Sequence, residues 1–269
     1  NWNNSKILAY WKYDDATKPG KDSHSWLGRL NNIRTALQGQ QGDRRLRLGI
    51  AGGEWKKMMA DATARTRFAS EVKKIIEQYD FDGVDFDFEW PTNASEYNNY
   101  SATVIQMRST LGKYVYFTAS LHPVSFKISP EAIDALDFIS YQCYGPAVMR
   151  FPYEQFVKDG EAAVAYGIPK NKLVMGVPFY GSTGSLIAAY CDFVNDGLAT
   201  TNEDTYTYKG NTYTFNSIET IRKKARYVCE EDYAGIMSWD LATDIDITNN
   251  KSLLKVIKEE FEYYANPTE

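Results

Sequence analysis

The chain has 269 residues, a net charge of −5 at pH 7 and 24% charged residues, a composition typical of an ordinary globular protein. Its acidic balance disfavours a nucleic-acid partner, and it contains no apolar run of about 18 residues that could span a membrane. With two histidines, a histidine-based catalytic triad or metal site is also disfavoured. Three cysteines without a C-x-x-C pair leave the redox compartment open.

Short apolar runs alternate with amphipathic stretches along the chain. The predicted strands cover residues 7–13, 45–51, 83–90, 114–121, 137–144, 173–180 and 235–241. The predicted helices cover residues 25–37, 63–79, 95–111, 130–136, 153–166, 217–229 and 252–264. This alternation indicates parallel strands joined by crossover helices, and a chain of about 250 residues is the usual size of an eight-stranded barrel.

We therefore predict an α/β fold, a (β/α)8 barrel that is irregular at its second strand, because the polar segment 14–24 does not resemble a strand. An open doubly wound sheet is the alternative, but it normally carries a glycine-rich phosphate loop, which this sequence lacks. No linker or repeat divides residues 1–269, which we expect to form a single domain. Within it, the alternating pattern of residues 205–215 predicts a β-hairpin in an excursion at about 182–216.

The most informative stretch is FDGVDFDFEWP, residues 81–91. Because side chains alternate across a strand, Asp85, Asp87 and Glu89 are expected on one face, with successive carboxylates about 7 Å apart. Glu89 comes last, at the carboxyl end where barrel active sites lie. Asp82 precedes the strand and extends the same acidic face.

Closely spaced carboxylates cannot all ionise, so at least one of these acids is expected to have a raised pKa, as a general acid needs. Two other interpretations remain open at this point. The acids could form the solvated face of an edge strand, or their Asp-x-Asp spacing could bind Mg²⁺ or Ca²⁺. Strand spacing spreads the oxygens apart and no histidine supports a metal site, so we predict none.

The octet DGVDFDFE, residues 82–89, resembles the D-G-x-D-x-D-x-E signature of glycoside hydrolase family 18, which includes chitinases and endo-β-N-acetylglucosaminidases. Other segments resemble further motifs of the family in the right order, over about residues 5–265. These segments are IAGG at 50–53, DFISYQCY at 137–144, KLVMGVPFYG at 172–181 and GIMSWD at 235–240.

The resemblance implies a substrate-assisted, retaining hydrolysis that needs no cofactor. Glu89 is expected to protonate the leaving glycosidic oxygen while the substrate's own 2-acetamido oxygen attacks the anomeric carbon. Asp87 is expected to hold the acetamide N–H, Asp85 to share a proton with Asp87, and Tyr144 to donate to the acetamide oxygen.

The resemblance also implies further contacts to the sugar. Trp239 is expected to stack under the distorted ring, while Gln142, Tyr10 and Asp82 are expected to bind substrate. Residues 181–234 are too few for the large α+β insertion of some chitinases, and a shallower cleft would favour endo cleavage.

Two departures from the family pattern bear on activity: Ile50 stands where a serine is usual, and Gly145 where many chitinases have aspartate. The leading hypothesis is a chitinase, and an endo-β-N-acetylglucosaminidase acting on N-glycan cores is the second. A non-catalytic lectin is the third, and an inhibitor or scaffold on the same fold is the last. We expect a secreted, periplasmic or cell-surface monomer whose partner is its glycan substrate.

Overall fold

A computed structural model describes residues 26–38, 44–199 and 202–266 of the chain. The fold divides into two compact units. Among the described residues, the first unit comprises 26–38, 44–118 and 131–137, and the second comprises 119–130, 138–199 and 202–266. The predicted strand at 7–13 and the polar segment 14–24 lie outside the described residues.

Helices and strands alternate through most of the described chain. The α-helices are α1 Trp26–Leu37, α2 Trp55–Ala60, α3 Ala62–Tyr79, α4 Ala94–Leu111, α5 Pro130–Ala135, α6 Tyr153–Tyr166, α7 Tyr190–Asn195, α8 Ile218–Glu230 and α9 Leu253–Ala265. The strands are β1 Arg47–Ile50, β2 Gly83–Phe86, β3 Tyr116–Leu121, β4 Phe138–Tyr141, β5 Leu173–Pro178, β6 Tyr180–Ser182, β7 Ile187–Ala189, β8 Thr205–Tyr208, β9 Asn211–Thr214 and β10 Gly235–Trp239.

The sheet of the first unit is parallel. Strands β1 and β2 run side by side, with Arg47 opposite Gly83 and Gly49 opposite Asp85. Strand β3 follows β2 in the sheet order. Since paired residues in a parallel ladder point to the same face, Arg47 and Asp85 both lie on the face that Gly49 and Gly83 leave without side chains.

The other face of β2 carries the core of the first unit. Phe86 and Phe88 are fully buried. The ring of Phe86 lies 5.2 Å from that of Phe88, 4.8 Å from Phe117 and 5.8 Å from Phe68. Tyr100 of α4 packs edge-on against Phe86. Burying each phenyl side chain contributes about 2–3 kcal/mol, so this aromatic cluster holds α3 and α4 on the sheet.

The second unit contains a parallel sheet and an antiparallel one. In the parallel sheet β5 lies between β4 and β10. In the antiparallel sheet β6 pairs with β7 and β9, and β9 pairs with β8. The aromatic ring of Phe193 on α7 contacts those of Tyr213 and Phe215 at 5.5 and 5.4 Å. These contacts fix the β8–β9 hairpin against α7.

Most predicted elements that fall on described residues are confirmed in type and place. The strand predicted over 83–90 is wrong in length, because it ends at Phe86. Its neighbour β1 ends at Ile50, whose carbonyl accepts from Asp87 N at 2.9 Å. Helices α2 and α7 and strands β6 and β7 were not predicted, and the strand predicted over 137–144 ends at Tyr141. In the described part of the chain, no helix is both long and apolar enough to cross a membrane.

Gly83 supplies a test of how closely β2 and β3 approach. A Cβ atom on Gly83 would overlap the carbonyl oxygen of Tyr116, whereas a Cβ atom on Gly49 meets no atom of the described residues within 4 Å. Gly83→Ala should therefore lower the free energy of unfolding by about 3 kcal/mol. Gly49→Ala, the matched control, should stay within about 0.5 kcal/mol of the wild type. Urea unfolding measures both, and an equal effect of the two substitutions would contradict this packing.

Candidate active site

The acidic face predicted from the sequence is present in the first unit. Val84, Phe86 and Phe88 are fully buried, while the alternate residues Asp85 and Asp87 are half-buried. The alternation continues past the end of β2, because Glu89 is exposed and Phe88 beside it is not. The three carboxyl groups therefore lie on the side of the chain opposite the aromatic core, and exposure is greatest at Glu89.

Asp85 is bound by two side chains from neighbouring strands. Arg47 Nη1 of β1 lies 3.3 Å from Asp85 Oδ1. The hydroxyl of Thr118 on β3 donates to the same carboxylate oxygen. Arg47 also donates to the hydroxyl of Thr118, so the three groups form one connected cluster.

Tyr100 of α4 packs against Phe86 and interacts electrostatically with Asp85 and Asp87. Its hydroxyl is buried and has no hydrogen-bond partner among the residues that the structure describes. Burial first, and then the negative charges of Asp85 and Asp87, raise the pKa of Tyr100. The phenol therefore stays neutral beside the two acids.

Asp82 lies at the amino end of β2. It is exposed, and its carboxylate accepts a 2.6 Å hydrogen bond from Leu46 N. Its own backbone N–H donates to Leu46 O at 2.9 Å. Asp82 therefore ties the beginnings of β1 and β2 together.

The chain that follows Glu89 is held in place by Glu96. The carboxylate of Glu96 accepts from Thr92 N and from Lys56 Nζ, both at 2.8 Å. The hydrogen bond from Lys56 is the largest contribution that lowers the pKa of Glu96 to about 2. Asn93 caps α4 by accepting from Glu96 N. The segment between Glu89 and α4 is thus fixed by a hydrogen-bonded turn.

Tyr144 belongs to the second unit and is buried. Its ring lies 6.3 Å from that of Tyr180, edge to face. Its hydroxyl donates to the thioether sulfur of Met237 on β10 at 3.4 Å. A Cβ atom on Gly176 of β5 would lie 2.8 Å from the Tyr144 ring, so glycine there makes room for it. Thioether sulfur is a weak acceptor, so little energy opposes the transfer of this hydroxyl to a better one.

His122 fixes the backbone of Tyr144. Its Nε2–H donates to Tyr144 O at 2.9 Å, and Val124 N donates to its Nδ1 at 3.3 Å. Because Nδ1 accepts, the imidazole is the neutral Nε2–H tautomer. Burial is the main cause that lowers the pKa of His122, which also favours the neutral ring.

Two further predicted residues lie in the second unit. Gln142 is buried and its backbone N–H donates to Leu121 O at 2.8 Å. Trp239 ends β10 with 53% of its surface exposed. An indole this exposed presents a flat apolar face to solvent. The remaining predicted residue, Tyr10, lies outside the described residues.

A buried lysine holds one of the aromatic residues that pack around Tyr144, namely Phe151. Lys224 of α8 is fully buried and donates to Phe151 O at 2.8 Å and to Asn216 Oδ1 at 2.7 Å. The Phe151 ring packs against that of Tyr180, 5.7 Å away. Lys224 therefore fixes Phe151, and through it the aromatic neighbours of Tyr144.

Sequence reasoning missed several residues of these clusters: Arg47, Tyr100, Thr118, His122, Met237 and Lys224. Arg47 carried a detectable signal, because Arg45 and Arg47 alternate with leucines in a strand segment and therefore share one face. Within the described ranges, no group of three or more His, Cys, Asp and Glu side chains could hold a metal ion. The three cysteines are free.

The comparison with known protein families bears on this chemistry. The sequence profile of the glycosyl hydrolases family 18 matches residues 7–244. The chain belongs to glycoside hydrolase family 18. The acidic octet, the segment with Tyr144 and the strand that ends at Trp239 all lie within the matched range.

Curated relatives and solved structures agree with this family. The "Probable chitinase 2" of Drosophila melanogaster is 23% identical over 81% of this chain and 60% of that protein. The chain thus spans less than two thirds of that relative. The crystal structure of the family 18 chitinase ChiB of Flavobacterium johnsoniae has 25% identity and a TM-score of 0.74, covering 86% of this chain and 79% of that one.

A chitinase-like agglutinin from Robinia pseudoacacia shares the fold, with 19% identity, a TM-score of 0.69 and coverage of 86% of this chain and 85% of that one. The predicted fold class, an α/β fold of the (β/α)8 type, is confirmed for this family 18 protein. The family is chitinase-like, and its fold is found in a chitinase and in a chitinase-like agglutinin.

The buried lysine gives a pH-dependent test. Burial lowers the pKa of Lys224 from 10.5 to about 8. Between these values the unfolded chain keeps a proton that the folded chain has lost, so folding becomes more favourable as pH rises. The unfolding free energy of the wild type minus that of Lys224→Met should be constant below about pH 8 and should rise by up to about 3 kcal/mol towards pH 10.5.

Urea unfolding of both proteins at intervals from pH 7 to pH 10 measures this difference. The tyrosines are common to the two proteins, so their ionisation cancels. The neighbouring Cys143, Asp159 and Asp204 are also unchanged in the variant. A difference that falls with pH, or stays flat, would contradict the burial of a titrating ammonium group.

Proposed function

We propose that this family 18 protein is a glycosidase that cleaves β-1,4 linkages next to N-acetylglucosamine in chitin-type oligosaccharides. The observation that carries the proposal is the acidic face of residues 85–89, complete and opposite a buried aromatic core, with Glu89 at its most exposed end. A proton donor must reach the glycosidic oxygen of a bound polymer, and an exposed glutamate satisfies that requirement.

The proposed mechanism is substrate-assisted and retaining. Glu89 donates its proton to the leaving oxygen as the glycosidic C–O bond breaks and the leaving sugar takes the bonding electrons. The 2-acetamido oxygen closes onto the anomeric carbon and forms a cyclic oxazolinium ion. Water then opens this ring and returns a proton to Glu89.

The other proposed roles concern the acetamido sugar. Asp87 holds the acetamide N–H and offsets the developing positive charge, and Asp85 supports Asp87. Tyr144 turns its hydroxyl from the Met237 sulfur to the acetamide oxygen, a stronger acceptor. The exposed indole of Trp239 stacks on a sugar ring. Gln142, Tyr10 and Asp82 contribute further substrate contacts in this proposal.

A sugar-binding protein without activity is the second candidate. The departures Ile50 and Gly145 favour it, and so does the fold shared with an agglutinin. Both candidates take an extracellular polymer or glycan as partner, so we infer an exported protein in either case. We further propose that the chain acts as one domain and as a monomer.

Glu89→Gln separates the two candidates. If Glu89 is the general acid, this variant should lower kcat by about 100-fold or more, because the amide has no proton of the required acidity to give. Release of nitrophenol from nitrophenyl chitobioside and chitotrioside measures kcat, and calorimetry with chitotriose should show affinity within a few-fold of the wild type. Glu77→Gln, an exposed glutamate on α3, is the control and should leave kcat unchanged.

Two results would contradict this assignment. Turnover by Glu89→Gln at the rate of the wild type would exclude Glu89 as the acid. Micromolar binding without turnover by either protein would instead identify a lectin.

The substrate class can be tested by offering three substrates side by side. We expect chitotetraose to be cleaved, and its fully deacetylated counterpart to be inert because it lacks the acetamido nucleophile. A high-mannose glycoprotein should stay intact, and mass spectrometry detects all three outcomes. Release of the glycan with chitotetraose untouched would identify an endo-β-N-acetylglucosaminidase, and cleavage of the deacetylated oligomer would exclude the substrate-assisted mechanism.

A further inference from the structure

In the loop that follows β4, three consecutive carbonyl groups, those of residues 144–146, each accept a hydrogen bond from a buried side chain. The donors, in the order of the carbonyl groups, are His122, Tyr180 and Ser182. We propose that these three side chains are positioning residues, which hold the loop in one conformation and thereby set where the Tyr144 hydroxyl meets the acetamido group of the sugar. The inference rests on the proposed function, which gives Tyr144 that role.

The first donor lies just beyond the end of β3. His122 follows Leu121, the last residue of that strand, and its Nε2–H donates to Tyr144 O at 2.9 Å. Backbone hydrogen bonds in both directions join His122 to Ser125 and hold the histidine at the base of a turn. A Cβ atom on Gly145 would lie 3.6 Å from His122 Nε2. The imidazole therefore packs beside a residue that brings no side chain of its own.

The other two donors lie on one face of β6. Tyr180 and Ser182 are two residues apart, so their side chains point to the same side of the strand. The Tyr180 hydroxyl donates to Gly145 O at 3.2 Å, and Ser182 Oγ donates to Pro146 O. Gly181 between them belongs to the opposite face, where a Cβ atom would overlap a phenyl ring of α7. Strand β6 is thus packed on α7 by one face and holds the loop with the other.

Tyr180 also contacts Tyr144 directly. The two rings lie 6.3 Å apart, edge to face. Tyr180 therefore acts on Tyr144 twice, through its ring and through the carbonyl group of the next residue. The Tyr144 hydroxyl itself donates to the sulfur of Met237, which is a weak acceptor. That bond contributes little, whereas the backbone that carries the ring is held by bonds to carbonyl oxygens, which are stronger acceptors.

The consequence concerns the rate of ring closure. Loops are more mobile than the strands that they follow, and a misplacement of about 1 Å near a reacting group can lower a rate on the order of 100-fold. Donors on three successive carbonyl groups restrict this loop to one conformation. The Tyr144 hydroxyl is then held where the acetamide oxygen has to close onto the anomeric carbon. Loss of a donor should slow this closure more than it weakens sugar binding.

The first test compares two substitutions that replace different nitrogens of the His122 ring. His122→Asn places an amide near the position of Nδ1, where it can still accept from Val124 N, but it removes the donor to Tyr144 O. His122→Gln reaches the position of Nε2 and can keep that donor. We expect kcat on nitrophenyl chitobioside to fall on the order of ten-fold in His122→Asn, with KM changed less than about two-fold. His122→Gln should stay within about three-fold of the wild type.

The second test removes single hydroxyl groups. Tyr180→Phe keeps the ring packing and should lower kcat about five-fold, and Ser182→Ala should act in the same direction. Tyr190→Phe is the matched control, because Tyr190 is a buried tyrosine of the same unit whose hydroxyl donates to Lys251 O at 2.9 Å. The control should lower the melting temperature and leave kcat unchanged.

A double-mutant cycle shows whether these residues act through Tyr144. Tyr144→Phe alone should lower kcat at least as much as His122→Asn. In the Tyr144→Phe background the hydroxyl is gone, so His122→Asn or Tyr180→Phe should lower kcat by less than about a further two-fold. A role in stability alone would give the same factor in both backgrounds.

The outcomes separate this inference from the proposed function. With an active wild type, three results overturn the inference alone: unchanged kcat in His122→Asn and Tyr180→Phe, equal losses in His122→Asn and His122→Gln, or the same loss with and without the Tyr144 hydroxyl. If His122→Asn does not fold, the cycle with Tyr180→Phe decides. Absence of turnover by the wild type contradicts the proposed function, and the inference falls with it.

Discussion

The burial of Phe86 and Phe88 sets the direction in which the carboxyl groups of Asp85, Asp87 and Glu89 point. Both rings are fully buried among other aromatic side chains. A one-residue slip would expose them, at about 2–3 kcal/mol for each ring, and would turn three carboxyl groups into the core, where a polar group without partners costs several kcal/mol. Both penalties oppose the slip, so the register is strongly specified. The acidic face is therefore a consequence of the hydrophobic one.

The same arrangement brings several acidic residues close together, and polar or cationic groups near each of them bind its carboxyl group. Arg47 and Thr118 bind Asp85 from two strands, and backbone N–H of Leu46 binds Asp82. Farther along, Lys56 and the turn at Thr92 bind Glu96. Each of these acids has a specific partner, and Glu89 is the exposed one of the 85–89 series. Polar groups that are bound in this way keep a single geometry, which binding and catalysis both require.

In the second unit, buried polar groups likewise fix the position of Tyr144 and of its neighbours. A neutral imidazole holds its backbone, a weak thioether acceptor holds its hydroxyl, and the ammonium of Lys224 anchors the neighbouring Phe151. Removing the ammonium from water has a cost, which the lowered pKa of Lys224 records. Two hydrogen bonds and a ring face offset part of it. The burial of Lys224 therefore lowers the stability of the fold while it fixes the aromatic side chains around Tyr144. Buried groups with perturbed pKa values are common at functional sites.

The sequence by itself determined the order and type of most described elements, the alternation of acids and phenyl rings, and the family. These follow from periodicity and from residues adjacent in the chain, which are local properties. The end of β2 at Phe86, the ion pair across 38 residues between Arg47 and Asp85, and the anchoring of Phe151 by a lysine 73 residues away were decided by tertiary structure. Strand length depends on where the partner strand ends, and long-range pairs depend on register between strands and on helix packing. Neither quantity is encoded in the local pattern of one segment.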